Sequence, residues 1–352
     1  MAVRSRLSVA TVAGLSALAL TLSPFGTPAD GSRAQSRMVT VDPVDTTPHL
    51  VDDGVVAHTF ALAIAKKGPH VYVGGRFNKV ENPARTTTFD RSNLFAFDNA
   101  TGDVSTTFAP NPNGVVWAVR RIGKSVYVGG EFTTISGVTR PALAKLNAAT
   151  GAVDPNFKPP FTTGRVSEIR QVRGRLIVGG TFPQALLALN PDTGRNTKYI
   201  KTSITDKLTG SAGKVEVHRF AVNPQRTRLV AVGNFKHVNG RAQARAFMLN
   251  LGRDRVTLNA WHYRPLQHRC LSQNPNIIAN LEDVDFSPDG SYFVFAATGY
   301  LPQLTSRIGT DVCDAAARFE TNITHPTKPT WINYTGGDTL HAVAATGKAV
   351  YV

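Results

Sequence analysis

One string fixes more about this chain than any other feature. Val71-Tyr-Val-Gly-Gly-Arg-Phe77 recurs as Val126-Tyr-Val-Gly-Gly-Glu-Phe132 and as Leu176-Ile-Val-Gly-Gly-Thr-Phe182. A reduced copy, Leu229-Val-Ala-Val-Gly-Asn-Phe235, keeps the second glycine. The closing phenylalanines stand 55, 50 and 53 residues apart. Glycine weakens a strand interior unless a bulge or a close approach requires it. A phosphate-cradling loop does not fit, because the residue after the glycines drifts from Arg to Glu, Thr and Asn. No copy carries the Lys-Ser/Thr of a P-loop or a helix to follow. Gly74, Gly75, Gly129, Gly130, Gly179, Gly180 and Gly233 are therefore read as structural, allowing a bulge or the close approach of a neighbouring sheet.

The rest of the unit repeats with them. An apolar strand precedes the glycines, as in Phe60-Ala-Leu-Ala-Ile64, Val115-Val-Trp-Ala-Val119 and Arg219-Phe-Ala-Val222. A third strand ends in Asp or Asn, as in Leu94-Phe-Ala-Phe-Asp98, Leu143-Ala-Lys-Leu-Asn147, Leu186-Leu-Ala-Leu-Asn190 and Phe247-Met-Leu-Asn250. A Thr-Gly turn follows the first three, at Gly102, Gly151 and Gly194, and a last strand carries an aromatic near its end: Phe108, Phe157 or Trp261. Four short strands recurring every fifty to sixty residues, with no helical period, predict an all-β fold. The expected architecture is a β-propeller of four-stranded antiparallel blades. Five complete blades begin near residues 58, 114, 165, 216 and 281, and a truncated sixth begins at Thr339. The fifth departs from the pattern: Asp283-Val-Asp-Phe-Ser-Pro-Asp-Gly-Ser291 opens it, and Ala296-Ala297 replace the glycines. The chain stops at Val352, where the next two glycines would stand, so a longer protein is expected.

The first residues read as a signal peptide over 1–29, with Arg4 and Arg6 before an apolar run from Leu7 to Leu22 and a Thr27-Pro28-Ala29 cleavage-like end. Residues 30–57 are expected to form a linker or an outer strand, and 58–352 the propeller. No later segment is apolar enough to cross a bilayer. Secretion or display at the cell surface follows, and in such a chain the two cysteines, Cys270 and Cys313, are expected to form one disulfide.

These motifs together resemble the delta-sixty-type β-propeller repeats of exported bacterial proteins. The residues that carry the likeness are Val-Tyr-Val-Gly-Gly-x-Phe, the apolar strand ending in Asp/Asn-x-x-Thr-Gly, and Asp154-Pro-Asn-Phe157. The likeness spans about residues 58–352, and the composition and leader look actinobacterial. It implies the propeller fold, often with appended binding modules, and supplies no catalytic residue.

Chemistry is harder to find. There is no Gly-x-Ser-x-Gly elbow, no His-Glu-x-x-His and no Cys-x-x-Cys. A propeller gathers the starts of its innermost strands, here read as His58, Trp117, Glu168, His218, Asp283 and His341. Around one opening these would make a ligand site at the channel mouth; the alternative is that each faces solvent at its own strand end. Glu282 and Asp285 are further carboxylates that could join them. No catalytic residue, no metal and no cofactor is assigned: Asp98, Asp192 and Asp289 lie in turns that need Asx and glycine for backbone reasons. The sequons at Asn322 and Asn333 are read as coincidental.

The net charge is +15. Arginines such as Arg165, Arg170, Arg173 and Arg175 are scattered, without the basic block and interleaved aromatics of a nucleic-acid site. A basic exported protein is drawn to anionic cell-wall polymer or acidic polysaccharide. The expected function is a non-enzymatic binding platform at the cell envelope, for such a polymer or a protein partner. The alternatives are a carbohydrate-active enzyme or oxidase with its site at the channel mouth, and a structural spacer in a larger surface protein.

Overall fold

The computed structural model describes residues 34–40, 44–211, 213–268, 270, 280–300, 305–335 and 340–352. The signal peptide expected over 1–29 lies outside them. Among the described residues the regular structure is β, apart from two short 3₁₀ turns at Arg264–Gln267 and Thr305–Arg307.

Five antiparallel sheets follow one another along the chain. The first joins Phe60–Lys67, His70–Arg76 and Leu94–Asp98. The second joins Val116–Ile122, Ser125–Gly130 and Leu143–Asn147. The third joins Val166–Val172, Arg175–Gly180 and Leu186–Leu189. The fourth is Val217–Val222, Arg228–Gly233, Ala246–Leu251 and Val256–Leu258, and the fifth Leu281–Phe286, Tyr292–Ala297, Ala315–Glu320 and Trp331–Tyr334. In every sheet the first strand is one edge, called the inner strand below, and the strand that carries the glycines, or Ala296-Ala297 in the fifth, lies second.

The first three sheets have three strands rather than four. Their expected fourth strand shrinks to a single bridge: Phe97 with Val104, Leu146 with Val153, Leu189 with Asn196. The reason is visible in the second unit. Asp154 accepts the Asn156 N–H through Oδ1, and Pro155 has no N–H to give to a ladder. The chain turns inward there and buries Phe157 edge-on against Tyr127, ring centroids 5.5 Å apart. Phe108 is seated in the same way on Tyr72, and Trp261 on Phe293.

Successive sheets pack face to face through their inner and glycine strands. Tyr72, Leu94 and Ala96 meet Val116, Val126 and Val128 of the second sheet. Ala118, Tyr127 and Leu143 meet Val166, Ile169 and Val178 of the third. The pattern continues to the fifth sheet, whose Val294 and Ala296 meet Leu340 and Val343 of the last segment. The second strand of each sheet is covered on both faces, which explains continuous apolar runs such as Val-Tyr-Val in place of alternation. Tyr hydroxyls tie the sheets further: Tyr72 donates to the carbonyl of Ala148 at 2.9 Å, and Tyr127 to that of Pro191 at 2.7 Å.

Short hairpins cap the sheets. His49–Leu50 pairs with Lys79–Glu81, so residues 30–57 contribute a short strand beside the first sheet's loop. Gln35 donates its N–H to Thr346, and Val39 to the Tyr351 hydroxyl, which lays the N-terminal segment against the hairpin of Ala344–Ala345 and Val350–Tyr351. Cys270 and Cys313 form a disulfide, with Cα atoms 5.6 Å apart.

Candidate functional site

The inner strand of every sheet carries a β-bulge at the same place. The register slips between Ala61 and Ala63, Val116 and Ala118, Val166 and Glu168, Val217 and Arg219, and Leu281 and Asp283. Leu62, Trp117, Ser167, His218 and Glu282 are thus left out of the ladder. The glycine strand faces each bulge in the first four sheets, and Ala296 and Ala297 face it in the fifth. A Cβ on the second glycine would meet the carbonyl oxygen before the bulge, 2.1 Å from Phe60 at Gly75 and 1.9 Å from Arg165 at Gly180. The first glycine makes room for the next sheet instead.

A bulge re-aims a side chain. All five bulge residues line one cavity of about 720 Å³, together with Phe60, Ala61, Arg165, Glu216, Arg219, Asp283, His341 and Ala342. Of the six residues expected at a channel mouth, Trp117, His218, Asp283 and His341 lie on this wall. Glu168 stands behind it, buried, 3.8 Å from Arg219 and salt-bridged to Arg170. His58 lies in an exposed bend outside the lining. Counting back from the glycines, Leu62 and not His58 holds the place of Trp117. Sequence reasoning missed Ser167 and Glu216 entirely, and did not connect Arg165 and Arg219 with the site. The signal for Ser167 was its fixed distance from the glycine pair; none existed for the ion pairs, which join residues of different sheets.

Those pairs organise the wall. Glu216 is buried and accepts from Arg165 Nε at 3.2 Å and from the Ser167 hydroxyl at 3.2 Å. Arg165 also reaches Glu131 at 2.9 Å and lies over the Trp117 ring, 4.2 Å from its centroid. His218 Nε2 is 3.6 Å from Glu216 Oε2. Arg219 donates to the Ser167 carbonyl. Two buried polar atoms on this wall have no protein partner: Trp117 Nε1 and His218 Nδ1.

Asp283 accepts the Val343 N–H at 3.0 Å and the Val284 N–H at 2.9 Å. Asp285 accepts those of Ala345 and Phe286, at 2.9 and 3.0 Å. Two carboxylates thus stand in for a strand partner and hold alternate N–H groups of the last segment. Burial pushes the Asp283 carboxyl up to about 6 and the Asp285 carboxyl up to about 7, against the pull of these N–H groups. Among the described residues no cluster of His, Cys, Asp and Glu is arranged to hold a metal ion. Asp98 Oδ1 is taken by the N–H groups of Ala100 and Thr101, and Asp289 Oδ1 by Ser287 and Ser291.

The basic stretch is occupied internally. Arg170 pairs with Glu168, Arg173 donates to the Arg226 carbonyl, and Arg175 stacks on Tyr199 at 4.2 Å. No helix among the described residues is long and apolar enough to cross a membrane.

Comparison with known proteins gives little beyond the fold. No curated protein sequence matches the chain. The crystal structure of the computationally designed Ika4 protein aligns over 56% of this chain and 94% of its own, at 12% identity and a TM-score of 0.34. Residues 124–157, the glycine strand of the second sheet through Phe157, match the family described as a domain of unknown function (DUF5122) beta-propeller.

Proposed function

We propose that residues 58–352 form a β-propeller of five blades and a partly built sixth, exported and working at the cell envelope as a non-enzymatic binding platform. The observation that carries this reading is the convergence of the five bulge residues on one cavity, with Trp117 Nε1 and His218 Nδ1 buried there unpartnered. Buried polar atoms are normally satisfied, so unpaired ones on residues that line a cavity favour a ligand or ordered water there.

The cavity carboxylates favour binding over hydrolysis. Glycoside hydrolysis needs two opposed carboxyl groups free to act on a bond. Glu216 is engaged by Arg165 and Ser167, and Asp283 by two backbone N–H groups. Only Glu282 lacks a described partner among the carboxylates that line the cavity.

The test is a glycan and wall-polymer array probed with the complete protein and with Trp117→Ala and His218→Ala. Retention of one ligand class that both variants lose supports the platform. Attraction to acidic polymer that fades by 1 M salt is surface charge alone, since the Debye length there is about 3 Å. If nothing is retained beyond that, the spacer reading takes its place.

A further inference from the structure

We infer that the cavity takes a neutral, hydroxyl-rich ligand, a sugar residue of a glycan chain, and turns away the polyanions that the protein's overall charge would attract. This rests on the cavity being the binding site. The chain carries a net +15, yet both arginines that line the cavity are engaged with neighbouring groups among the described residues. Arg165 is spent on Glu216 and Glu131, and Arg219 on the Ser167 carbonyl, with Glu168 beside it. Glu282 and Asp283 add two more carboxyls to the wall. A carboxylate, sulfate or phosphate entering here would meet like charge in a confined space, and would have to draw Arg165 from Glu216 and Glu131 or Arg219 from the Ser167 carbonyl.

The unpaired groups set the complementary requirement. Trp117 Nε1–H can only donate, and the Glu282 carboxylate can only accept. His218 Nδ1 does one or the other according to its tautomer. Hydroxyl groups meet both demands, since one can accept from Trp117 and another donate to Glu282. An ammonium group would satisfy Glu282 and leave the indole N–H unpaired. Phe60 and Leu62 form the apolar part of the wall, against which the C–H face of a pyranose can lie.

The experiment measures binding of the full chain to three oligosaccharide probes of equal length: a neutral glucan, a polyuronate and a deacetylated chitosan fragment. Each is titrated at 0.1 M and 1 M salt against the wild type, Trp117→Phe and Glu282→Gln. Trp117→Phe keeps an aromatic ring and removes only the N–H donor; thermal melting checks that each variant folds. The expected result is binding of the neutral probe at both salt concentrations, weakened about tenfold or more by either variant, as loss of one well-placed hydrogen bond implies. Polyuronate or chitosan binding that both variants abolish would overturn the inference and leave the cavity as the binding site. Binding that neither variant changes, or no binding at all, would overturn both.

Discussion

Val166 occupies the space beside Gly129 that any larger residue would need. A Cβ at Gly129 would lie 2.7 Å from Val166 Cγ1 and 2.8 Å from the Val166 carbonyl oxygen. Gly74 stands in the same relation to Val116, at 2.3 Å, and Gly179 to Val217, at 3.0 Å. One sheet's glycine is thus the socket for the next sheet's inner strand. Gly129→Ala should cost about 1–3 kcal/mol of overpacking in denaturant unfolding, and Gly179→Ala less. Gly130→Ala should be worse than Gly129→Ala, because its Cβ would strike the Val115 carbonyl at 2.2 Å, closer than the 2.8 Å that separates a Gly129 Cβ from the Val166 carbonyl. Equal, near-zero losses at all three positions would contradict the socket.

The Tyr127 hydroxyl crosses to the third sheet at Pro191. Tyr127→Phe keeps the ring on Phe157 and deletes this bond alone. The expected loss is about 0.5–1.5 kcal/mol, the net worth of one buried hydrogen bond. Tyr72→Phe, which frees the Ala148 carbonyl, should cost a similar amount, and the two should add, since they join different pairs of sheets. A double variant as stable as wild type would show that neither bond holds the sheets together.

Asp283 and Asp285 give a pH dependence of definite sign. Their carboxyls keep protons to about pH 6 and about pH 7 in the folded chain, above the ordinary value of 3.8. Between about pH 4 and pH 7 the folded state binds more protons than the unfolded one, so stability falls as pH rises through that window. Unfolding midpoints should drop between pH 5 and pH 8 by a difference on the order of 1–3 kcal/mol. Asp283→Asn with Asp285→Asn should flatten that slope, because an amide oxygen still accepts the Val343 and Ala345 N–H groups without carrying charge. A midpoint that climbs over the same range would refute the assignment.

The Cys270–Cys313 bridge spans 43 residues of sequence. In the chain-entropy account a loop of that size contributes roughly 4 kcal/mol. Replacing both cysteines by alanine should lower the unfolding midpoint by a corresponding amount, and thiol titration of the untreated, denatured protein should find no free thiol. Two reactive thiols would remove the bridge from the account.

The strands, their antiparallel order and the disulfide were legible in the sequence because each rests on a local pattern. The glycine pair marks a second strand wherever it occurs, and two cysteines in one chain leave a single pairing. The fourth strands were less legible. Val104, Val153 and Asn196 carry the apolar or β-tolerant character of a strand, but just past each bridge a side-chain oxygen takes a backbone N–H: Ser105 that of Phe108, Asp154 that of Asn156 and Asn196 that of Lys198. The site was legible in part. Trp117 and His218 were found as the starts of innermost strands; Leu62 was passed over because His58 reads as the start of the first one. Glu216 and Arg165 stand 51 residues apart and meet only when the third sheet stacks on the fourth. No local pattern encodes that distance.

The five bulges separate two kinds of inheritance. A residue excluded from the ladder is released from strand pairing, so its identity can differ from sheet to sheet while the backbone stays put. Leu62, Trp117, Ser167, His218 and Glu282 are an alkyl group, an indole, a hydroxyl, an imidazole and a carboxylate, carried at one repeated backbone position. Descendants of such a chain can be retargeted one substitution at a time, each change rewriting one of the five bulge positions while the glycine sockets go on copying the same shape.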